Sequence, residues 1–322
     1  LGVGMSSPYV VQDRGAITES VHPWSAVAVR DSAVFGRVGE PWRCAWRSAA
    51  KPFQLAVSLD LLGVPDLSDE EIAVGAASHS AEPEHIRWVR QVLARFQVDE
   101  GLLRCGAHPP VHEPAAARIL RQGHGFEPIH NNCSGKHAFM LAAVQSRDWE
   151  VDYRAPEHPL QLQVRKALTG FCGEGLQLAV DGCGVPTFGL SLLGMAKAWS
   201  RLSEAMEDGP GSSLGRIGRV MARYPNLTSG TDRLDAAIVA LSREPMAVKI
   251  GAAGLFCMAL PRRRLGIAVK VHSGDRQALG CAVVATLAKV APGAIVEPPE
   301  DWPWHVVRNV VGVQVGRRYA RI

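Results

Sequence analysis

The sequence predicts a mixed α/β protein in which helices flank a largely antiparallel sheet. An alternating apolar pattern near the N-terminus predicts a hairpin, helical spacing dominates the middle, and three short apolar strands follow one another near residue 250. The chain has 322 residues, of which 47% are hydrophobic, and this is enough to bury a large core. We therefore expect one domain over residues 1–322, or two closely packed lobes.

Local signals place the individual elements. The segment "AVAVRDSAVFGRVGE" predicts a hairpin with its turn at Asp31–Ser32, and Ser68 with Glu71 has the spacing of a helix capping box. The glycine-rich segment 209–215 predicts a linker between two helices. The pattern further predicts helices over about 49–63, 84–96 and 113–122 and from about 136, and strands over 176–180, 246–250, 254–260 and 266–271.

Composition argues against several classes of function. The net charge is +4, with 35 basic and 31 acidic residues interspersed, so nucleic-acid binding is not expected. No apolar segment is long enough to span a membrane, and the N-terminal residues do not resemble a secretory signal. The seven cysteines are an odd number in a long chain. We interpret them as reduced thiols of a cytoplasmic protein.

The first candidate for chemistry is Ser48-Ala-Ala-Lys51, followed by Pro52. Residues three apart share a helix face, so the Ser48 hydroxyl and the Lys51 amine could meet. A lysine can accept the serine proton only when it is uncharged, which requires its pKa to fall from about 10.4 through burial or a nearby cation such as Arg47. The alternative is that Ser48 only caps a helix, a role that serine commonly has at such a position.

A second cluster, "AASHSAEP", places Ser78, His79 and Ser80 among small residues between two predicted helices. Small residues allow the close backbone approach that a site needs. The alternative is a turn in which the hydroxyl groups bond to the nearby backbone. The pattern by itself does not decide between them.

A third cluster combines "NNCSGKH" at 131–137 with "VDGCGVP" at 180–186. Cys133 precedes a predicted helix, where a thiol has a lowered pKa. Two thiolates, from Cys133 and Cys183, would suit zinc, and His137 or Lys136 could add a nitrogen ligand. The spacing lacks the usual metal-binding patterns, so buried thiols without metal are the simpler interpretation.

Taken together, the motifs resemble those of the asparaginase II family, the rhizobial-type, zinc-containing class. They occur in the order of the family and span nearly the whole chain. The resemblance rests on "ESVH" (19–22), "RSAAKPFQ" (47–54), "ASHSAEPEHI" (77–86), "HNNCSGKHAFML" (130–141), "PEHPLQ" (156–161), "DGCGVPTF" (181–188) and "KIGAAGLFC" (249–257).

The resemblance implies hydrolysis of L-asparagine to aspartate and ammonia, on a fold similar to serine β-lactamases and glutaminases. It implies two serine–lysine pairs, Ser48 with Lys51 and Ser80 with Lys249; we favour Ser48 as the nucleophile, with the second pair relaying protons. It also implies a zinc ion near the substrate. A homodimer is expected because two-fold dimers are the commonest oligomers of soluble proteins. The implied zinc ligands are Cys133, Lys136 and Cys183, and the implied substrate-binding residues are Arg47, His137 and Asp181.

The sequence departs from the family pattern at position 253, within segment 230–238 and at 272–275. Ala253 stands where glutamate is expected, Asp232 replaces a glycine and Ala236 replaces a threonine. The acidic segment expected near the C-terminus is "HSGD" at 272–275. The serine, lysine and cysteine positions are intact, so the sequence still predicts an enzyme.

Two other functions remain open at this point. The first is a penicillin-binding or β-lactamase-type acyl hydrolase, whose short signatures have counterparts in Ser48-x-x-Lys51, Tyr224-x-Asn226 and His272-Ser273-Gly274. That hypothesis leaves the cysteine cluster unexplained. The second is a zinc-stabilised amide-binding protein that has lost activity, which the departures at 232, 236 and 253 motivate.

Overall fold

A computed structural model of the chain describes residues 7–63, 66–209 and 211–322, and an eight-stranded sheet runs through its centre. Every strand pairing in the sheet is antiparallel, which confirms the predicted class. The strands β1–β11 are Tyr9–Arg14, Ile17–Arg30, Ala33–Val38, Arg43–Ala45, Gln177–Val180, Pro186–Ser191, Ala247–Ile250, Leu255–Leu260, Leu265–Val271, Val306–Arg308 and Gln314–Arg321.

Strands β10, β11, β1, β2, β9, β8 and β7 follow one another across the large sheet, and β3 also pairs with β2. A small second sheet has the order β4, β6, β5. The helices α1–α11 are Lys51–Leu62, Asp69–Ala76, Pro83–Arg95, Glu113–Arg121, Ser134–Gln145, Pro159–Cys172, Leu192–Glu207, Ser213–Arg223, Pro225–Thr228, Leu234–Ala240 and Arg276–Val290.

The two faces of the large sheet bury two different cores. Because side chains alternate along a strand, Val248 and Ile250 of β7 pack with α11 on one face, while Ala247 lies on the other face with the helices between α1 and α8. Lys249 shares the face of Ala247, and its neighbour across the sheet is Cys257. Lys249 therefore points into the helical layer.

Most local predictions are confirmed. Asp31 and Ser32 form the turn between β2 and β3 with φ values of 47° and 67°. Ser68 caps α2 as predicted, because its hydroxyl accepts the Glu71 N–H and the Glu71 side chain accepts the Ser68 N–H. Gly63 ends α1 in the left-handed region, at φ 59°.

Other boundaries differ from the predictions. Residues 47–50 form a 3₁₀ turn, so α1 begins at Lys51. Strand β6, which begins at Pro186, is not among the predicted strands, yet it pairs with both β4 and β5. The described part of the linker 209–215 joins α7 to α8, and Pro210 lies outside the described residues. In the described ranges, no helix is both long enough and apolar enough to cross a membrane.

Candidate active site

Ser48 lies in the 3₁₀ turn between the small sheet and α1. The backbone N–H of Trp46 donates to Phe188 O at 2.7 Å, which fixes the turn against β6. Arg47, directly before the serine, has φ 50°, a conformation that costs energy for a residue with a side chain. Ser48 is partly exposed, does not cap α1, and its hydroxyl bonds to none of the described residues. The hydroxyl is therefore open to a ligand.

Lys51 is the buried amine of the site. Its Nζ lies 2.6 Å from Ala77 O, 2.9 Å from Ser78 Oγ and 3.2 Å from Asn132 O. Carbonyl oxygens can only accept hydrogen bonds, whereas a hydroxyl can also donate. An uncharged Lys51 amine could therefore donate to both carbonyls and accept the proton of Ser78. The structure pairs Lys51 with Ser78, and no hydrogen bond joins it to Ser48.

Close packing of α2 against α5 brings Ser78 to Lys51. A Cβ on Gly135 would lie 2.1 Å from Val74 O, so only glycine allows the two helices to approach this closely. The chain after α2 is then held on both sides, because Ser78 N donates to Thr228 O and His79 N donates to Asn132 O. Gly135 and these two backbone hydrogen bonds therefore fix the position of Ser78.

Ser80 and Lys249 are both buried behind this centre. Ser80 Oγ donates a hydrogen bond to Ser229 O at 3.2 Å. The same Oγ packs against Gly230, because a Cβ on that glycine would lie only 2.3 Å from it. Lys249 Nζ lies 3.7 Å from Asp235 Oδ1 and has no hydrogen-bond partner among the described residues. No hydrogen bond joins the Ser80 and Lys249 side chains in the described structure, so their predicted pairing stays a prediction.

The Lys249 amine is electrostatically perturbed. It is fully buried, and burial lowers its pKa to about 8. This value already includes the positive charges of Lys51 and Arg233, which also lower the pKa, and the carboxylate of Asp235, which raises it. A substantial fraction of Lys249 is consequently uncharged at slightly alkaline pH, as a proton acceptor requires.

Ser48 and Ser78 face one small cavity of about 190 Å³. A larger surface groove, of about 780 Å³ between α3 and α4, contains none of the predicted site residues. The chemistry therefore points to the smaller cavity. Its lining residues are Ser48, Ser78, Val111, Asn132, Arg233, Ile250, Gly251, Ala252, Ala253 and Arg276.

The fold also brings Cys133, Lys136 and Cys183 together in a buried cluster beside Lys51. Lys136 Nζ donates to Cys183 Sγ at 3.3 Å. A hydrogen bond from Cys183, together with the charges of Lys51 and Lys136, outweighs burial and holds the Cys133 pKa well below its usual value. Burial would lower the Lys136 pKa, but the charges of Cys183, Cys133 and Asp181 raise it to about 12. The hydrogen bond with Cys133 raises the pKa of Cys183, so Cys133 is the more acidic thiol of the pair.

This donor set fits zinc, because two adjacent sulfurs and an amine can occupy three corners of a tetrahedron. Binding of a metal ion would require both thiols to lose their protons. Among the described residues, no group of three or more His, Cys, Asp or Glu side chains could hold a metal. The third donor of the cluster is a lysine, which accounts for that result.

The predicted substrate-binding residues adjoin the cysteine cluster. Arg47 Nε donates to Asp181 Oδ1 at 2.6 Å, and Gly182 N donates to the same oxygen at 2.7 Å. His137 is fully buried, with Nδ1 at 2.6 Å from the Tyr153 hydroxyl and Nε2 without a partner in the described structure. None of the three lines the cavity of Ser48.

Sequence reasoning missed three contributions to the site. It included Ser78 in a cluster but did not pair it with Lys51, and it did not single out Asn132 or Arg233. The Ser78-His79-Ser80 segment contains two hydroxyl groups. The path of the chain after α2 determines which of them contacts the Lys51 amine.

Comparison with known proteins identifies the family. The L-asparaginase II family matches residues 10–319, which is nearly the whole chain. A search of curated proteins finds no significant match.

A search of solved structures finds several matches at low identity. Mglu, in its native form, is 16% identical with a TM-score of 0.45; the match covers 83% of this chain and 59% of Mglu. A putative β-lactamase from Bacteroides dorei is 12% identical with a TM-score of 0.42, over 77% of this chain and 85% of that one. A β-lactamase from Mycobacterium bovis is 9% identical with a TM-score of 0.42, over 83% and 94%.

The family match covers both serines of the cavity, both buried lysines and the cysteine cluster. It agrees with the resemblance carried by the sequence motifs. The chain belongs to the L-asparaginase II family.

Proposed function

We propose that the protein hydrolyses L-asparagine to L-aspartate and ammonia through a serine nucleophile that a lysine activates. The observation that carries the proposal is the buried Lys51 amine, 2.9 Å from the hydroxyl of Ser78, beside a cavity that Ser48 also lines. The cavity, at about 190 Å³, is smaller than the pockets that hold drug-sized ligands. A small amino-acid amide suits it better than a β-lactam antibiotic.

In the proposed reaction, Ser48 Oγ attacks the side-chain carbonyl carbon of asparagine, and Ser78 passes the Ser48 proton to Lys51. Ser48 is the partly exposed hydroxyl, whereas Ser78 is buried and bonded to the amine, so their roles differ. The carbon–nitrogen bond then breaks, and the proton held by Lys51 leaves with the ammonia. Water hydrolyses the resulting ester of Ser48 by the reverse proton path and releases aspartate.

We assign Lys249 and Ser80 to proton relay behind the cavity. The pKa of Lys249, at about 8, lies close to physiological pH, where a proton acceptor is most effective. Positive charges on Lys51 and Lys249 repel each other. An uncharged Lys249 therefore reduces the electrostatic cost of the proton that Lys51 receives.

Cys133, Lys136 and Cys183 would hold zinc, with water as the fourth ligand. Zinc would add a fixed positive charge beside the substrate. Asp181 would face the ammonium group of the substrate; its pKa is lowered because the charges of Lys136 and Arg47 outweigh burial, so it is ionised at neutral pH. Arg47 holds that carboxylate in position, and His137 supports the cluster from the Tyr153 side.

Ammonia release from a panel of L-asparagine, L-glutamine and small aliphatic amides tests the proposal. The wild type should release ammonia from L-asparagine, and Ser48→Ala should reduce the rate by about 10³-fold or more. Ser213→Ala is a matched control, because its hydroxyl bonds to Asp60 near the opposite end of α1. Undiminished turnover by Ser48→Ala would refute the assignment of the nucleophile.

The same panel separates the two other hypotheses. Hydrolysis of nitrocefin without ammonia release from asparagine would indicate a β-lactamase-type enzyme. Calorimetric binding of asparagine with no turnover of any amide would indicate an amide-binding protein that has lost activity.

A further inference from the structure

Arg233 is a partly exposed cation that lines the cavity of Ser48. The residue caps the N-terminus of α10 with its backbone, and its side chain lines both this cavity and the neighbouring groove beneath Trp302. Its Nη1 is buried and has no hydrogen-bond partner among the described residues. A buried donor left unpaired is costly, and a charged one more so. This donor is therefore available to an anionic ligand in the cavity.

The charges of Asp235 and Glu82 act on Arg233, but neither carboxylate hydrogen-bonds to it, and Asp235 Oδ2 has no partner among the described residues. The two oxygens of Glu82 accept the backbone N–H and the hydroxyl of Thr231, each at 2.8 Å. Asp235 Oδ1 accepts Ile250 N at 2.8 Å and lies 3.7 Å from Lys249 Nζ. No hydrogen bond joins Arg233 to either carboxylate within the part of the chain that the structure describes.

The charge distribution around the cavity is one-sided. Arg276, at the start of α11, is the second cationic residue of the lining, and the lining contains no acidic residue among those described. The polar groups of Ser48, Ser78 and Asn132 complete it. Two guanidinium groups facing one small space repel each other unless an anion lies between them.

We propose that Arg233 binds the α-carboxylate of the amino-acid amide and so determines which amides are substrates. The inference rests on the proposed function. Arg47, the arginine that the family resemblance implies in substrate binding, is already held by Asp181 at 2.6 Å. A guanidinium offers two parallel donors to a carboxylate, a geometry that a lysine cannot reproduce.

Two substrates test the inference in the full-length protein. L-asparagine carries the α-carboxylate, and 3-aminopropanamide is the same molecule without it. Arg233→Gln should lower kcat/KM for L-asparagine by on the order of 10- to 100-fold, as expected for the loss of a charged hydrogen bond, mainly through KM. It should leave kcat/KM for 3-aminopropanamide nearly unchanged. Arg165→Gln, on the exposed side of α6, is the charge-matched control.

Arg233→Lys keeps the charge and guards against misfolding of the glutamine variant. It should retain part of the activity toward L-asparagine and all of the activity toward 3-aminopropanamide. An equal loss for both substrates in the folded lysine variant would show a structural role and overturn the inference. Unchanged kinetics for L-asparagine in both variants would overturn it as well.

Calorimetric titration with L-aspartate separates this inference from the proposed function, because it requires no turnover. Binding that Arg233→Gln weakens at least tenfold supports the carboxylate site even if the wild type hydrolyses no amide. Equal binding by wild type and Arg233→Gln refutes the site even if the wild type hydrolyses asparagine.

Discussion

Replacing Lys249 by methionine should remove a large part of the pH dependence of folding stability between pH 7 and 9. The Lys249 amine is fully buried and its pKa in the folded state is about 8, compared with 10.5 for an unperturbed lysine. Between these two values the unfolded chain binds the proton and the folded protein does not. The free energy of unfolding therefore rises with pH through this interval, and the buried charge destabilises the folded state most below pH 8.

The magnitude follows from the two pKa values. For a single group titrating at about 8 when folded and 10.5 when unfolded, the free energy of unfolding increases by about 1.3 kcal/mol from pH 7 to pH 9. Titration of the cysteines and other groups adds to the wild-type change, but it is shared by the variant. The difference between the two proteins isolates the lysine.

Urea unfolding at pH 7, 8 and 9 provides the assay. The wild type should gain about 1 kcal/mol more than Lys249→Met over this range. Lys166→Met, on the exposed side of α6, should behave as the wild type. Because Asp235 loses its neighbouring cation, the double variant Lys249→Met/Asp235→Asn repeats the measurement without that carboxylate. Identical pH dependence in the wild type and both Lys249 variants would refute the reasoning.

Three further predictions concern the metal, the packing and the reaction. Cys133→Ala should lose bound zinc in elemental analysis, and an unchanged zinc content would exclude the cysteine cluster as its site. Gly135→Ala should lower the free energy of unfolding by about 1–3 kcal/mol, because its Cβ would lie 2.1 Å from Val74 O. The control Gly170→Ala, with no atom near the added Cβ, should be neutral or stabilising. Equal effects of the two substitutions would contradict the packing argument. With Lys249 uncharged in the active form, kcat/KM should rise with pH and level off above about 8, and an acid optimum would argue against it.

The sequence predicts the parts of the fold that local rules determine. The turn at Asp31–Ser32, the capping box of Ser68 and the end of α1 at Gly63 each depend on a few neighbouring residues, and all three are confirmed. Strand β6 could not be predicted in the same way. Its pairing with β4 depends on residues more than 140 positions earlier in the chain, which no local pattern reveals.

The candidate site shows the same division. Motifs identified Ser48, Lys51 and the cysteines, because these residue types carry recognisable chemistry at fixed spacings. The partner of the Lys51 amine depends instead on how closely Gly135 lets two helices approach, and this favours Ser78 over Ser80. The unpaired guanidinium of Arg233 is visible only once the partners of the surrounding carboxylates are known.

Rapid-quench peptide mass spectrometry during turnover of L-asparagine tests the central claim most directly, since the claim is that a lysine-activated serine opens the carboxamide. The wild type should carry an aspartyl ester on Ser48, and Lys51→Met should form no such adduct. Steady ammonia release without any serine adduct, or an adduct that persists at the wild-type rate in Lys51→Met, would contradict the mechanism.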